Sequence, residues 1–443
     1  MSKGIVLLLV LVFLTASCLT VAKPAFSSAA TTENTWETMA PMPTARSQLG
    51  VDVVNGKIYA IGGDYNVNEM YDPETNTWST KTPMPTPSRN FGIAVYGSKI
   101  YCIGGGSWDN MLALNQVYDT ATNTWTTKTS MPTARNYLSA NVVNGKIYMI
   151  GGNYQSYLYT SNLNEVYDIA TDTWSTAKPL PQAVANYPSA VIDGRIYIVG
   201  GTTFTKSFYT LQIYDPAPDS WSTGTSIPHL DIDGHFLGGA VGAATTGQYA
   251  PKKLYVFGGH NIFSANGVSA YDPENGSWYV CASIPTARGY LGVAVVDDVL
   301  YAIGGTGWNY LEPPVSVNEK YTPFGYGTAP PEIAVISPEN KTYATGSVSL
   351  AFTLNKPVQW TVYSLDNQDN VTISGNTTIS GLSNGSHNVT VYARDEFENT
   401  GASETINFTV DVPFPLAPVA IASAALVAII SVGLLVYFRK RKH

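Results

Sequence analysis

Cysteine, histidine and charge are all scarce in this chain, and each shortage closes off a class of function. Only three cysteines occur in 443 residues, and one of them, Cys18, lies in a leader-like stretch. Cys102 and Cys281 remain, in distant segments, so no disulfide framework is expected and both read as small buried hydrophobes. Charged residues make up 13%, with 32 acidic against 24 basic. Five of the bases, Lys3, Arg439, Lys440, Arg441 and Lys442, sit in the terminal segments. The remainder is therefore clearly acidic, which excludes nucleic acid as a partner. There is also no nucleophile elbow, no pair of carboxylates at a catalytic spacing and no phosphate-cradling loop ahead of a helix, so no catalytic residue is nominated.

What is abundant points to β structure. Tyrosine (29) and glycine (39) stand out, and with many Thr, Ser and Asn they favour strands joined by tight turns. The ends read differently. After Lys3 runs "GIVLLLVLVFL", a signal-peptide core followed by small residues, so 1–30 is expected to be removed. Near the other end "PVAIASAALVAIISVGLLVYF" precedes "RKRKH". That pattern predicts a transmembrane helix over 416–438 and a basic cytoplasmic tail over 439–443, which leaves the bulk outside the cell.

The middle of the chain repeats. "IYAIGG" returns as "IYCIGG", "IYMIGG", "IYIVGG", "LYVFGG" and "LYAIGG", with Gly62, Gly104, Gly151, Gly200, Gly258 and Gly304 as the first glycines. The period is roughly 50 residues. In step with it run "MYDPETNTW", "VYDTATNTW", "VYDIATDTW", "IYDPAPDSW" and "AYDPENGSW", in which Tyr-Asp and Trp bracket a hairpin turn. Each period holds four short strands, a sheet that cannot bury both faces unless neighbouring copies stack. The last copy, "NEKYTPF", lacks the turn and the Trp, while Trp36 precedes the first Gly-Gly. The N-terminal strand is thus expected to complete the sixth sheet near Tyr321 and to leave no open edge.

The Gly-Gly pair, the Tyr, the Trp and "PMPTAR" together closely resemble the kelch family. The resemblance implies an all-β fold, a six-bladed kelch-type β-propeller over 33–325. Here Gly-Gly permits close approach between strands, and Tyr and Trp fill the wedges between blades. After Pro330 and Pro331, alternating segments such as "SVSLAFTL" and "HNVTVYARD" predict a β-sandwich over 330–412, similar to the Ig-like modules of prokaryotic surface proteins. Its sequons, Asn340, Asn370, Asn376, Asn384, Asn388 and Asn407, contrast with the single Asn275 of the propeller. Many sequons without disulfides suit an archaeal-type cell surface, with the sandwich as a sugar-coated stalk.

Binding is expected where the loops leading into strand one meet the loops after Gly-Gly. The first set carries Arg46, Arg89, Arg135 and Arg288. The second carries Tyr65, Trp108, Tyr154, Tyr157 and Tyr159, and then Phe204, Phe208, Phe263, Trp308 and Tyr310. Guanidinium groups beside flat rings suit a sugar carboxylate or an acidic peptide. In blade five the same region reads "HLDIDGH", where His229, Asp231, Asp233 and His235, with His260, form a candidate site for one divalent metal ion; the alternative is a self-capping loop. No other cofactor is expected. The repeated Asp72, Asp119, Asp168, Asp215 and Asp272 read as turn residues at the opposite end.

These features favour a surface-anchored, non-enzymatic binding module for an extracellular glycan or protein. One alternative is an extracellular carbohydrate-active enzyme, since some kelch-like propellers are sugar oxidases or epimerases. The oxidase type would need a cysteine crosslinked to tyrosine on the loop face, where neither Cys102 nor Cys281 is expected. The other alternative is a structural envelope protein.

Overall fold

A computed structural model describes residues 33–107, 110–228, 236–260, 266–307, 312–413 and 416–440, without the side chains of 236–238, 260, 416–425 and 440. The expected signal segment 1–30 lies outside the described residues.

The repeats fold as the alternation of apolar and polar residues dictates. Sheet one consists of the strands Gly50–Val54, Lys57–Ile61, Asn68–Asp72 and Thr77–Thr80, hydrogen-bonded in that order as an antiparallel meander. Four further sheets repeat this order, beginning at Gly92, Ser139, Ser189 and Phe236. The sixth is built from Gly292–Val296, Val299–Ile303 and Asn318–Thr322, with Thr35–Thr38 as its outermost strand. Trp36 pairs with Tyr321 in that register, which is the closure the sequence pattern requires. The first strands touch one another in sequence around a ring, and the last touches the first.

Glycine decides how tightly neighbouring sheets approach. A Cβ on Gly62 would lie 2.6 Å from the Ser88 carbonyl oxygen, and one on Gly63 would lie 2.6 Å from that of Ser47. Both glycines have positive φ, 67° and 90°. Gly63 N–H donates to Ser88 O in the next sheet at 3.0 Å, a bond that any side chain here would prevent. The wedges are filled by packed Tyr and Trp, with Tyr71 and Trp78 centroids 5.1 Å apart and Tyr118 and Trp125 also at 5.1 Å, each pair tilted by 40°. Cys102 and Cys281 are free and buried. The acidic series is neutralised in its turns: Asp72 pairs with Lys57 at 2.8 Å, Asp168 with Lys146 at 2.8 Å, and Asp119 with Lys99.

Beyond the ring, two sheets pack face to face. Val348, Leu350 and Ile379 of the three-stranded sheet meet Val389, Val391 and Phe408 of the other in one core. This sandwich joins the ring through a built junction. The loop between the first two strands of sheet five is pinned by Asp298, which accepts from Thr246 N, Tyr249 N and Ala250 N at 2.5, 2.7 and 3.0 Å. Tyr249 then packs on Tyr326 and Phe397. Beneath it Lys356, fully buried, donates to Asp395 at 3.0 Å and to the Ala329 carbonyl.

Among the described residues no helix is long and apolar enough to cross a membrane. The segment expected to do so is helical over Leu416–Lys440, with side chains described only for 426–439. Those side chains are exposed, including Leu426, Ile429, Val432 and Leu435.

The closing strand yields a test. Trp36→Ala removes a ring packed on Phe257 and Tyr321 and a hydrogen bond from Nε1 to Ala282 O. Denaturant unfolding of the full chain should show a loss of about 3–5 kcal/mol, whereas Tyr65→Ala on an exposed loop should stay within about 0.5 kcal/mol.

Candidate functional site

Three of the four arginines expected to bind ligand are not on the surface at all. Arg46, Arg135 and Arg288 are 0% exposed. Each pairs with a buried glutamate, Glu69 at 2.7 Å, Glu165 at 2.7 Å and Glu319 at 2.5 Å, and donates to the carbonyl of the first glycine in its own sheet. Burial pulls all three guanidinium pKa values down, and the glutamates offset part of that shift. Their role is to tie the loop leading into strand one to strands two and three.

A signal for this was present in the sequence. Sheets with "TAR" carry "NE" at the start of strand three (Asn68-Glu69, Asn164-Glu165, Asn318-Glu319); of those without it, sheets two and four carry Gln116 and Gln212, and sheet five carries Ser269. Gln116 exchanges hydrogen bonds with the Thr86 backbone at 2.8 and 3.0 Å, and Ser88 takes the arginine's place on Gly104 O. Arginine and glutamate come and go together because either one alone would be a buried unpaired charge. Arg89, one position further on, is the exception: it is partly exposed and sits 3.4 Å from Asp64.

Two residues past the arginine position, the chain turns into the left-handed region in every sheet. Gln48, Asn90, Tyr137, Asn186 and Tyr290 have φ between 54° and 56°, and Gly239 has 78°. Their backbones form a closed belt. Asn90 N donates to Gln48 O, Tyr137 N to Asn90 O, Asn186 N to Tyr137 O, Tyr290 N to Gly239 O and Gln48 N to Tyr290 O, all at 2.8–3.0 Å. Gly239 N completes the circle through Asn186 Oδ1 at 2.8 Å. The belt rims a central channel of about 480 Å³ lined by the six first strands. Within it Asp52 is pushed up to about 6 by burial, with the Val53 amide opposing the shift. The neighbouring Cys102 thiol is raised well above its ordinary value, first by burial and then by the Asp52 charge.

Sheets three and four build outward over this rim. Arg135–Asn136, Asn153–Tyr154 and Ser156–Thr160 form an extra three-stranded sheet above sheet three. In sheet four, strands two and three lengthen to Arg195–Thr202 and Ser207–Asp215. Their tips bring Tyr157 (40% exposed) and Phe204 (59%) together, with ring centroids 5.3 Å apart at 61°. Tyr154 packs on Tyr159 at 6.0 Å, and Lys206 lies over Phe208 at 5.0 Å. Below the Tyr157 and Phe204 pair is a pocket of about 220 Å³, walled by Asn153, Thr202 and Thr203, with Tyr137, Asn186 and Tyr290 of the belt as its floor.

The structure thus gathers Tyr154, Tyr157, Tyr159 and Phe204, and leaves Tyr65 exposed over sheet one. Trp108, Phe263, Trp308 and Tyr310 lie outside the described residues, as do His229, Asp231, Asp233 and His235 and the His260 side chain. Among the described residues no group of three or more His, Cys, Asp or Glu is placed to hold a metal. The floor residues Tyr137, Asn186 and Tyr290 were not foreseen. Their common position, 14 before each Gly-Gly in five of the copies, is visible in the sequence only once the belt is known.

Comparison with known proteins agrees with the architecture. The kelch motif model matches residues 45–85, 183–228 and 250–285, and a second model, the FKB95 kelch-repeats domain, matches 80–187. The chain therefore carries kelch repeats. A segment of Halomucin from Haloquadratum walsbyi is 37% identical over 121 residues, 26% of this chain and 1% of that protein. Kelch-like protein 15 of Danio rerio is 40% identical over 65 residues, 13% of this chain and 11% of that protein. The matches thus span only small fractions of these relatives' lengths. The solved structure of YjhT superimposes with a TM-score of 0.55 at 16% identity, covering 64% of this chain and 96% of that one, a likeness of fold.

Two predictions follow from the buried charges. Glu69→Ala should cost about 3–5 kcal/mol by stranding Arg46, and the double change Arg46→Ser, Glu69→Gln, which copies sheet two, should recover most of it in denaturant titrations. For Asp52, the raised folded-state pKa means that the native state prefers the proton. Stability is therefore unimpaired below the ordinary value of 3.8 and falls as pH rises through about 6. Asp52→Asn should accordingly raise stability by about 1–3 kcal/mol at pH 8 and by little at pH 4.

Proposed function

We propose that this chain is a cell-surface-anchored, non-enzymatic binding module that recognises an extracellular glycan or protein through the loop face of a six-bladed kelch propeller. The observation that carries this reading is the raised rim over sheets three and four, where Tyr157 and Phe204 stand exposed above a pocket at the mouth of the channel. Exposed aromatic rings held at strand tips and flanked by amide and hydroxyl groups are what a binding surface needs. The described lining consists of Tyr, Phe, Asn and Thr, groups that hold a ligand rather than exchange protons with it at neutral pH.

Anchoring belongs to the same proposal. The apolar run ending at Phe438 and the basic residues after it suit a single-pass helix, and the described part of the helix presents apolar side chains to its surroundings. The Ig-like sandwich then acts as a stalk. Its sequons at Asn340, Asn370, Asn376, Asn384 and Asn407 are exposed, and Asn388 is half-buried opposite Asn407. With Asn275 they are the sites that would carry glycans.

The test is binding of the full chain to a glycan array and to a panel of purified extracellular proteins, with the Tyr157→Ala, Phe204→Ala double variant beside it. The variant should melt with the parent and lose at least tenfold in affinity, about 1.4 kcal/mol. Full retention of binding by a folded variant would remove the site from this rim.

A further inference from the structure

We infer that the rim pocket takes a neutral, hydroxyl-rich ring, a hexose residue of a glycan, rather than a sugar acid or an acidic peptide. The inference rests on the reading of the loop face as the binding face and narrows it. Charge is the first argument. The guanidinium groups that would have met a carboxylate are committed inside the fold, with Arg46, Arg135 and Arg288 fully buried on their glutamates. Arg89 is engaged with Asp64 over sheets one and two. The described pocket lining carries no cation, so an anionic ligand would give up its hydration there without a counter-charge.

The second argument is the floor. The backbone belt requires a left-handed residue in each sheet, and Asn or Gly meets that need at low cost, as at Asn90, Asn186 and Gly239. Tyr137 and Tyr290 hold the same conformation, both at φ 54°, although a bulky side chain is disfavoured there. Belt formation alone does not account for those two rings, and both belong to the pocket floor.

Gly239 makes room for one of them. A Cβ at that position would lie 2.9 Å from the Tyr290 ring, so the ring reaches across sheet five. Its hydroxyl accepts from Asn186 Nδ2 at 3.4 Å, and Asn186 Oδ1 accepts from Gly239 N. The result is an aromatic floor locked by an amide and facing the Tyr157 and Phe204 wall.

Chemistry and size complete the case. A hexose has C–H faces that pack on aromatic rings and hydroxyls that need amide and hydroxyl partners, which matches rings above and below with Asn153, Thr202 and Thr203 at the sides. About 220 Å³ is less than the ~300 Å³ at which sites for drug-sized ligands begin, enough for one ring with the rest of the glycan outside.

The experiment uses the full chain in a non-glycosidic detergent, titrated calorimetrically with lactose, cellobiose, sialyllactose and a polyglutamate peptide. The key variant is Tyr137→Asn, Tyr290→Asn, which keeps a residue suited to the belt and removes both floor rings. We expect a neutral disaccharide to bind, sialyllactose to bind no more tightly, and the variant to melt at or above the parent temperature with at least a tenfold loss of sugar affinity. Tighter binding of sialyllactose or polyglutamate, or unchanged sugar binding in the Asn variant, overturns the inference. If no saccharide binds but a protein ligand is held and is lost in Tyr157→Ala, Phe204→Ala, the sugar inference fails and the binding face stands. If no binding depends on the rim, both fail.

Discussion

One latch, used around the ring, carries most of the architecture. At the outer edge of a sheet a left-handed Asn or Asp accepts a hydrogen bond from its own sheet's Tyr hydroxyl and another from a backbone N–H of the preceding sheet. The Trp two residues later returns a bond from Nε1 to the carbonyl of that same residue. For sheet one these are Tyr71 to Asn76 Oδ1 at 2.8 Å, Ala40 N to Asn76 Oδ1 at 2.8 Å and Trp78 Nε1 to Ala40 O at 2.9 Å. Asn123 and Trp125 hold Thr82, Asp172 and Trp174 hold Thr129, and Asp219 and Trp221 hold Lys178 in the same way. Each latch combines net hydrogen-bond terms of about 1 kcal/mol each with an aromatic pair worth about 0.5–1.5 kcal/mol. In sheet six the N-terminal strand supplies both halves, Asn34 and Trp36, against Ala282. The ring is therefore locked by the same device that joins its neighbours. In sheet five Gly276 stands at the Asn position, and the bond from Trp278 to Thr225 O remains.

Because the latches sit at the outer edge and the belt at the inner rim, the loops after Gly-Gly carry neither device. That freedom explains why sheets three and four can extend strands upward while the ring stays regular. In sheets one, three and six an Arg–Glu pair braces the loop, and in sheets two and four a Gln amide does the same work without charge. The brace changes from sheet to sheet, while the belt is closed through every sheet, once by way of the Asn186 side chain, so the belt is the more basic constraint of the two.

Much of the architecture was legible from periodicity. Gly-Gly, Tyr-Asp and Trp recur because close approach, turn chemistry and wedge filling each restrict a position to one or two residue types, and such positions repeat visibly. The closing strand was legible for the same reason, since Trp36 lacked a Tyr partner and Tyr321 lacked a Trp. The site was not. A buried Arg and a surface Arg look alike in one sequence, and only the coupled Glu69, Glu165 and Glu319 betray the difference. The belt residues were hidden because left-handed backbone is a conformational demand that Gln48, Asn90, Tyr137 and Gly239 all meet with different side chains.

The direction of the site follows from strand alternation. The first strand of each sheet runs from the loop face to the hairpin end, and the second returns from it to Gly-Gly. The loop pinned by Asp298 joins the first two strands of sheet five, Phe236–Ala244 and Leu254–His260, so it lies at the hairpin end. There Tyr249 meets Tyr326 and Phe397, and Gly327 N donates to Tyr249 O at 2.6 Å. The sandwich is thus fixed to the end opposite the Tyr157 and Phe204 rim. At that junction Lys356, paired with Asp395 inside the sandwich, also donates to the Ala329 carbonyl and lies over the Tyr249 ring at 5.5 Å, contacts that separation would break. The pocket therefore opens on the side of the ring away from the sandwich.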